Sequence, residues 1–116
     1  FLYFITDITA IFLNLFINAK DAMPGGGTLS VKSFRQNDFV VVNVADTGTG
    51  IAQEHINKIF DAFFTTKGKV SGVGLGLSVT YGIIQQHKGT ITVKSQLGKG
   101  TTFTISFPIL NTEQNT

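Results

Sequence analysis

The stretch TTKGKVSGVGLGLS, from Thr65 to Ser78, decides how the rest of the chain is interpreted. A polar segment leads into alternating glycines, and a helical pattern with Val79, Ile83 and Ile84 as its apolar stripe follows. Glycine lets a backbone come close to a ligand, and a helix start offers unpaired N–H groups and the positive end of its dipole. Together these features predict an anion site, with phosphate as the preferred anion.

The glycine pattern taken alone also fits a flexible linker before a helix. A dinucleotide-binding fingerprint is excluded, because a polar loop precedes the glycines and Leu77 stands where that motif needs its last glycine. A P-loop is excluded as well, because Gly98-Lys99 and Gly68-Lys69 both lack the upstream glycine of that motif. A phosphate site here therefore belongs to another class.

Composition indicates one globular domain. The chain has 116 residues, 42% of them hydrophobic, which suffices for a single core. It has no cysteine, which excludes disulfides and cysteine-based metal sites. The net charge is only +2 and no basic run occurs, so no nucleic-acid partner is expected.

The apolar opening, Phe1 to Ile17, predicts a buried helix. It is shorter than a membrane span, carries Asp7 and Asn14, and lacks the basic start of a signal peptide. No membrane contact by this domain and a cytoplasmic location are expected, although a longer parent protein would be free to carry an anchor. The abrupt start without an initiator Met suggests a fragment of a longer protein.

Polar residues on this helix form a pattern of their own. We expect it to begin at Asp7 or Thr9 and to run to about Ala22, with Asn14, Asn18 and Asp21 on one face. A single asparagine there would cap a neighbour or bind buried water. Two in register, followed by an aspartate, favour a site, since an amide oxygen suits Mg²⁺ that also binds phosphate.

Four segments read as strands. Residues 28–34 and 39–45 form one hairpin, whose second strand is so apolar that it should be central and covered on both sides. Residues 90–96 and 101–108 form another hairpin, each strand with one apolar and one polar face. A short helix is expected over residues 53–60. These patterns predict a sheet that is covered by helices on one side.

The sequence Asp46-Thr-Gly48-Thr-Gly50-Ile51 comes directly after the apolar strand. It fits a plain turn, since aspartate and glycine favour turns. A calcium loop is disfavoured because its further acidic ligands are missing. The remaining interpretation is a carboxylate that accepts a hydrogen bond from an amino group, such as that of adenine, on a flat ring that slides past the glycines.

Taken together and in this order, the motifs resemble the catalytic, ATP-binding domain of bacterial sensor histidine kinases. The superfamily also includes type II topoisomerases, mismatch-repair ATPases and a heat-shock chaperone. The boxes that carry the resemblance are an N box (residues 14–23), a first glycine box (46–51), an F box (59–67) and a second glycine box (72–78). Residues 1–110 would form the domain and 111–116 a disordered tail.

The resemblance implies a two-layer α/β (α+β) sandwich of the Bergerat type, with a mixed sheet and helices on one face. The family's first strand is missing or replaced by Phe1 to Ile5, and Ala10 and Lys88 replace a usual Gln and Gly. Catalytic roles are implied for Asn14, Asn18 and Lys67, and Mg²⁺ binding for Asn18. The implied nucleotide contacts are Asn18, Asp21, Asp46, Gly48, Gly50, Ile51, Phe60, Lys67, Gly72, Val73, Gly74, Leu75, Gly76, Leu77 and Thr101.

The implied activity is donation of the γ-phosphoryl group of Mg·ATP to a histidine. That histidine would lie on a separate dimerisation and phosphoacceptor domain of the same parent chain, with a response regulator downstream. Neither His55 nor His87 has the setting of the acceptor. The alternatives are an anti-sigma serine kinase, a related ATPase, or a non-catalytic docking domain. Asn14 disfavours the ATPase, because it stands where such enzymes carry a catalytic glutamate.

Overall fold

A computed structural model describes residues 2–61 and 76–109, with side chains from residue 5 onward. The elements in chain order are α1 (Leu2–Ala22), β1 (Leu29–Gln36), β2 (Phe39–Asp46), α2 (Gln53–Ile56), α3 (Gly76–Gln86), β3 (Thr90–Gln96) and β4 (Gly100–Pro108). The polar segment and the glycines that follow it, up to Leu75, and the predicted tail, 111–116, lie outside the described residues.

The strands form one sheet in the order β1-β2-β4-β3. The hairpins β1–β2 and β3–β4 are antiparallel, and β4 also runs antiparallel to β2. The two-layer α/β sandwich is confirmed. Every pairing among the described strands is antiparallel, whereas the resemblance implies a mixed sheet, because both hairpins and the contact between them reverse the chain direction.

Helices cover one face of this sheet through a shared apolar layer. Directly paired residues of antiparallel strands point to the same face, so Val44, Phe103 and Val93 form one row and Val42, Ile105 and Ile91 the next. Ile11 and Leu15 of α1 and Ile84 of α3 pack on these rows as fully buried side chains. This layer is the core of the domain.

Helix α1 starts earlier than its sequence predicts. It begins at Leu2, so neither Asp7 nor Thr9 is its cap and the segment up to Ile5 is helical rather than a strand. The Thr9 hydroxyl donates to the Ile5 carbonyl at 2.9 Å, as an interior helical residue does. Asp7 instead pairs with His87, just past the end of α3, at 2.9 Å between Oδ2 and Nε2.

The core-facing side of helix α3 includes a polar residue, which the apolar periodicity of the sequence does not predict. Val79 is 48% exposed, whereas Thr80 is fully buried together with Ile84. Burial of the Thr80 hydroxyl is tolerated because it receives a hydrogen bond from the Asn14 amide at 3.2 Å. The inward face is therefore Leu77, Thr80 and Ile84, and the expected role of Val79 in the apolar stripe is wrong.

Strand β2 is central in the sheet, as predicted, but it is not covered along its whole length. Val41 and Val44 are buried on opposite faces, whereas Phe39 and Val40 are exposed. Its neighbour β1 is exposed at every position. The buried part of β2 therefore begins at Val41, and the first two residues of the strand are exposed to solvent. Within the described ranges, no helix has the length and apolarity that crossing a membrane requires.

Two valines that face each other across β1 and β2 provide a test of where the core ends. Val44 is 2% exposed and its partner Val31 is 52% exposed. We expect Val44→Ala to lower the free energy of unfolding by about 2 kcal/mol, through lost burial and a residual cavity. Val31→Ala, the same change on the same face, should cost less than about 1 kcal/mol. Urea denaturation measures both, and equal losses would contradict this account of the core.

Candidate functional site

The apolar layer of the sheet ends in a row of three polar side chains. Asp46 on β2 pairs with Thr101 on β4, which pairs with Ser95 on β3, so all three lie side by side on the helix-covered face. Asp46 is 8% exposed and Thr101 is 5% exposed. We call Asp46, Thr101 and Ser95 the polar row. Buried polar groups at the edge of an apolar layer mark a place where a partly polar ligand can be bound.

The turn after Asp46 is held by the aspartate itself. The Gly48 N–H donates to Asp46 Oδ1 at 2.8 Å, which is an Asx-type turn. This contact confirms that the segment is a turn. It also orients the carboxylate, since one of its oxygens is fixed by the backbone while the group stays in the polar row.

The glycines of this turn are required by the packing of the chain. A β-carbon on Gly48 would overlap the Ala22 backbone at the end of α1. Gly50 has a φ of +76° and lies against the Gln96 carbonyl. The Thr49 N–H donates to the Ala22 carbonyl at 2.9 Å. The turn is therefore clamped between α1 and the β3–β4 hairpin, independently of any ligand.

Ser95 is the residue of this site that the sequence did not single out. Its hydroxyl lies 2.7 Å from the Ile51 N–H, 3.0 Å from the Gly100 carbonyl and 2.8 Å from the Thr101 hydroxyl. The sequence does contain one indication of this position, because Ser95 continues the alternation of Ile91 and Val93 and so lies on the inward side of β3. A serine there has to find polar partners.

One face of α1 connects α3 to the polar row. Asn14 donates from its amide to the Gly76 carbonyl at 3.3 Å, in the first turn of α3. The Ala22 carbonyl, two turns later on the same face, holds the turn after Asp46. Asn18, which is half-buried, lies between these two attachments, and Asp21 is exposed. The structure thus brings Asn14, Asn18 and the start of α3 to the side of the site.

Phe60 occupies the layer between α3 and the sheet. Its ring centroid lies 5.3 Å from that of Tyr81 and 6.4 Å from that of Phe103, the latter edge to face. Ile51 and Leu77 are partly buried against the same core. These residues therefore have packing roles. Of the other predicted contacts, Lys67, Gly72, Val73, Gly74 and Leu75 lie outside the described residues.

Comparison with known proteins agrees with this arrangement. Residues 5–111 match the family described as histidine kinase-, DNA gyrase B- and HSP90-like ATPase. The sensor kinase CckA of Brucella abortus (strain 2308) is 44% identical over 117 aligned residues, which cover 88% of this chain and 12% of CckA. The chain spans less than a quarter of each of the first curated relatives that it matches.

Two solved structures show the same fold. The nucleotide-free catalytic domain of histidine kinase ThkA superposes with a TM-score of 0.78 at 34% identity, covering 89% of this chain and 66% of that chain. Full-length ShkA, solved in complex with AMPPNP, superposes with a TM-score of 0.74 at 30% identity, covering 88% of this chain and 21% of that chain.

The order of the sequence boxes, the antiparallel sheet with its helical layer and the family match over nearly the whole chain lead to one assignment. This chain belongs to the histidine kinase-, DNA gyrase B- and HSP90-like ATPase family, and within it resembles the catalytic domains of sensor histidine kinases.

Proposed function

We propose that this domain binds Mg·ATP beside the polar row and donates the γ-phosphoryl group to a histidine on a separate dimerisation and phosphoacceptor domain. The adenine would lie against Asp46 and Thr101, and the phosphates would extend along α1 toward the start of α3. A response regulator would receive the phosphoryl group afterwards. The setting is cytoplasmic, in a parent protein that also carries the acceptor domain.

The observation that carries this proposal is the buried carboxylate of Asp46. A carboxylate removed from water is costly unless donors satisfy it, and Gly48 supplies one donor to one oxygen. An exocyclic amino group would supply another donor in the same place. The AMPPNP bound to ShkA, which shares this fold at 30% identity, supports an adenine nucleotide as the ligand.

The residues along α1 fit a magnesium ion that is held largely by phosphate. No group of three or more His, Cys, Asp or Glu side chains converges within residues 2–61 and 76–109. Asn18 offers a neutral amide oxygen between the two attachments of α1, and such an oxygen suits Mg²⁺ that keeps waters and phosphate oxygens as its other ligands. When bound, the ion would neutralise charge that develops on the phosphoryl oxygens.

Positioning and charge stabilisation account for most of the rate in phosphoryl transfer. In this chain, Asn14 fixes α3 through the Gly76 carbonyl and Thr80 and so sets the direction of the helix start. That start would present its N–H groups to the phosphates. Because the Asn14 amide nitrogen is engaged by α3 and an amide is no base, activation of the nucleophile is left to the acceptor domain.

Nucleotide binding is tested by thermal unfolding with Mg·ATP. A ligand that binds only the folded state raises the midpoint. We expect a rise for the parent sequence that Asp46→Asn largely abolishes, because an amide there can place a donor against the adenine amino group. Asp38→Asn is the matched control, since the Asp38 side chain is 91% exposed in the β1–β2 turn. An equal rise in parent and Asp46→Asn would contradict adenine binding at Asp46.

The metal role of Asn18 has its own readout. We expect Asn18→Ala to weaken ATP binding about tenfold when Mg²⁺ is present, because one oxygen ligand is lost, and to leave binding in EDTA unchanged. Asn57→Ala, at an exposed position after α2, should change neither value. Calorimetry with and without Mg²⁺ gives both affinities. Equal weakening of ATP binding in both conditions would show that Asn18 acts without the metal.

Transfer itself is tested with an acceptor domain supplied in trans. Incubation of this chain with γ-labelled ATP and a histidine-bearing dimerisation domain from a relative should label the acceptor in an acid-labile, base-stable form. The chain alone should hydrolyse ATP slowly, because in this proposal the acceptor domain supplies the nucleophile and the base. Rapid hydrolysis by the chain alone, with no labelled acceptor, would favour an ATPase instead.

A further inference from the structure

The Ser95 hydroxyl makes three polar contacts in the polar row. The Ile51 N–H approaches it at 2.7 Å, the Gly100 carbonyl lies 3.0 Å away and the Thr101 hydroxyl oxygen 2.8 Å away. The Ser95 carbonyl also accepts from the Gln53 side chain at 3.0 Å. Ser95 therefore joins the turn after Asp46, the start of α2 and the β3–β4 hairpin.

Only one arrangement of hydrogens satisfies all three contacts of this hydroxyl. A serine hydroxyl has one hydrogen to donate and two lone pairs that accept. The Ile51 N–H can only donate, and the Gly100 carbonyl can only accept. The hydrogen of Ser95 must therefore point to Gly100, and the contact with Thr101 exists only if Thr101 donates to Ser95.

This direction determines what Thr101 offers to a ligand. Once its single hydrogen points to Ser95, the Thr101 oxygen has only lone pairs left. Asp46, its neighbour across β2 and β4, accepts hydrogen bonds as a carboxylate. The floor of the site therefore presents two adjacent acceptors, and a ligand has to meet them with N–H groups or with a bridging water.

We propose that Ser95 is a positioning residue that holds Thr101 as an acceptor and so selects purines with an amino group at C6 over purines with a carbonyl there. The inference rests on the proposed function, since it concerns the base of the bound nucleotide. A carbonyl at this place would face two acceptors, Asp46 and Thr101, and would find no donor among them. A site built to accept hydrogen bonds from a ligand's N–H groups rejects an analogue that lacks them much more strongly than a pocket rejects a ligand by its size.

The test compares the binding of ATP and inosine triphosphate to the 116-residue chain; inosine has a carbonyl in place of the amino group at C6 and a hydrogen on N1. Calorimetry with Mg²⁺ should show that the parent sequence prefers ATP. Ser95→Ala frees the Thr101 hydrogen to rotate, so the preference for ATP should fall about tenfold. Ser95→Thr keeps a hydroxyl and should retain the preference. Ser33→Ala, an exposed position on β1, is the matched control.

A double-mutant cycle separates selection from general support of the fold. Thr101→Val removes the acceptor and should lower the preference for ATP, and adding Ser95→Ala to it should change the preference no further. If Ser95→Ala weakens both nucleotides equally, Ser95 only supports the loop and the inference is overturned.

Two further outcomes keep the inference and the proposed function apart. If Ser95→Ala does not fold, Thr101→Val alone decides, and an unchanged preference in that variant overturns the inference. If the folded parent sequence binds neither nucleotide, the proposed function itself is wrong. A parent sequence that binds ATP and inosine triphosphate equally leaves nucleotide binding in place and removes the selectivity argued here.

Discussion

A carboxylate at the end of an apolar layer requires partners, and this requirement organises one end of the domain. The Asp46 carboxylate accepts a hydrogen bond from the Gly48 N–H, which forms the turn. The turn is also bonded to the end of α1, because the Thr49 N–H donates to the Ala22 carbonyl. On its other side the polar row continues through Thr101 to Ser95, which returns to the same turn at Ile51. The carboxylate, the turn and two hairpin strands thus form a closed hydrogen-bonded unit. No side-chain nitrogen or oxygen of the described residues is buried without a partner.

Much of this could be predicted from the sequence, because the strands alternate clearly and the turn residues are distinctive. The strand bounds agree within two residues, and the turn after Asp46 is where its aspartate and glycines place it. Family membership was accessible because four boxes occur in order, and order is more specific than any one box. The same resemblance implies a nucleotide contact for Thr101, which directly follows Gly100 in the sequence.

Other features could not be predicted, since they depend on contacts between distant segments. Thr80 looks like a surface residue until Asn14, on another helix, supplies its partner. Ser95 looks like one polar residue in an alternating strand until the fold brings Ile51 to it. The sequence favours a start of α1 at Asp7 because aspartate often caps helices, whereas in the structure Asp7 lies inside the helix and pairs with His87. The glycine spacing of the turn is compatible with a plain turn or a ligand, and the structure shows that Gly48 and Gly50 make room for the chain's own backbone.

The pairing of Asp7 with His87 has a mechanical consequence. Asp7 near the start of α1 meets the residue after the end of α3, and Asn14 meets the first turn of α3, so the two helices run antiparallel and are bonded at two levels. The two attachment points on α1 are separated by about 10 Å at 1.5 Å per residue. Because α3 is bonded to α1 near both of its ends, α3 can tilt only together with α1. A displacement of one end of α3 would therefore move the opposite end of the helix as well, instead of bending it.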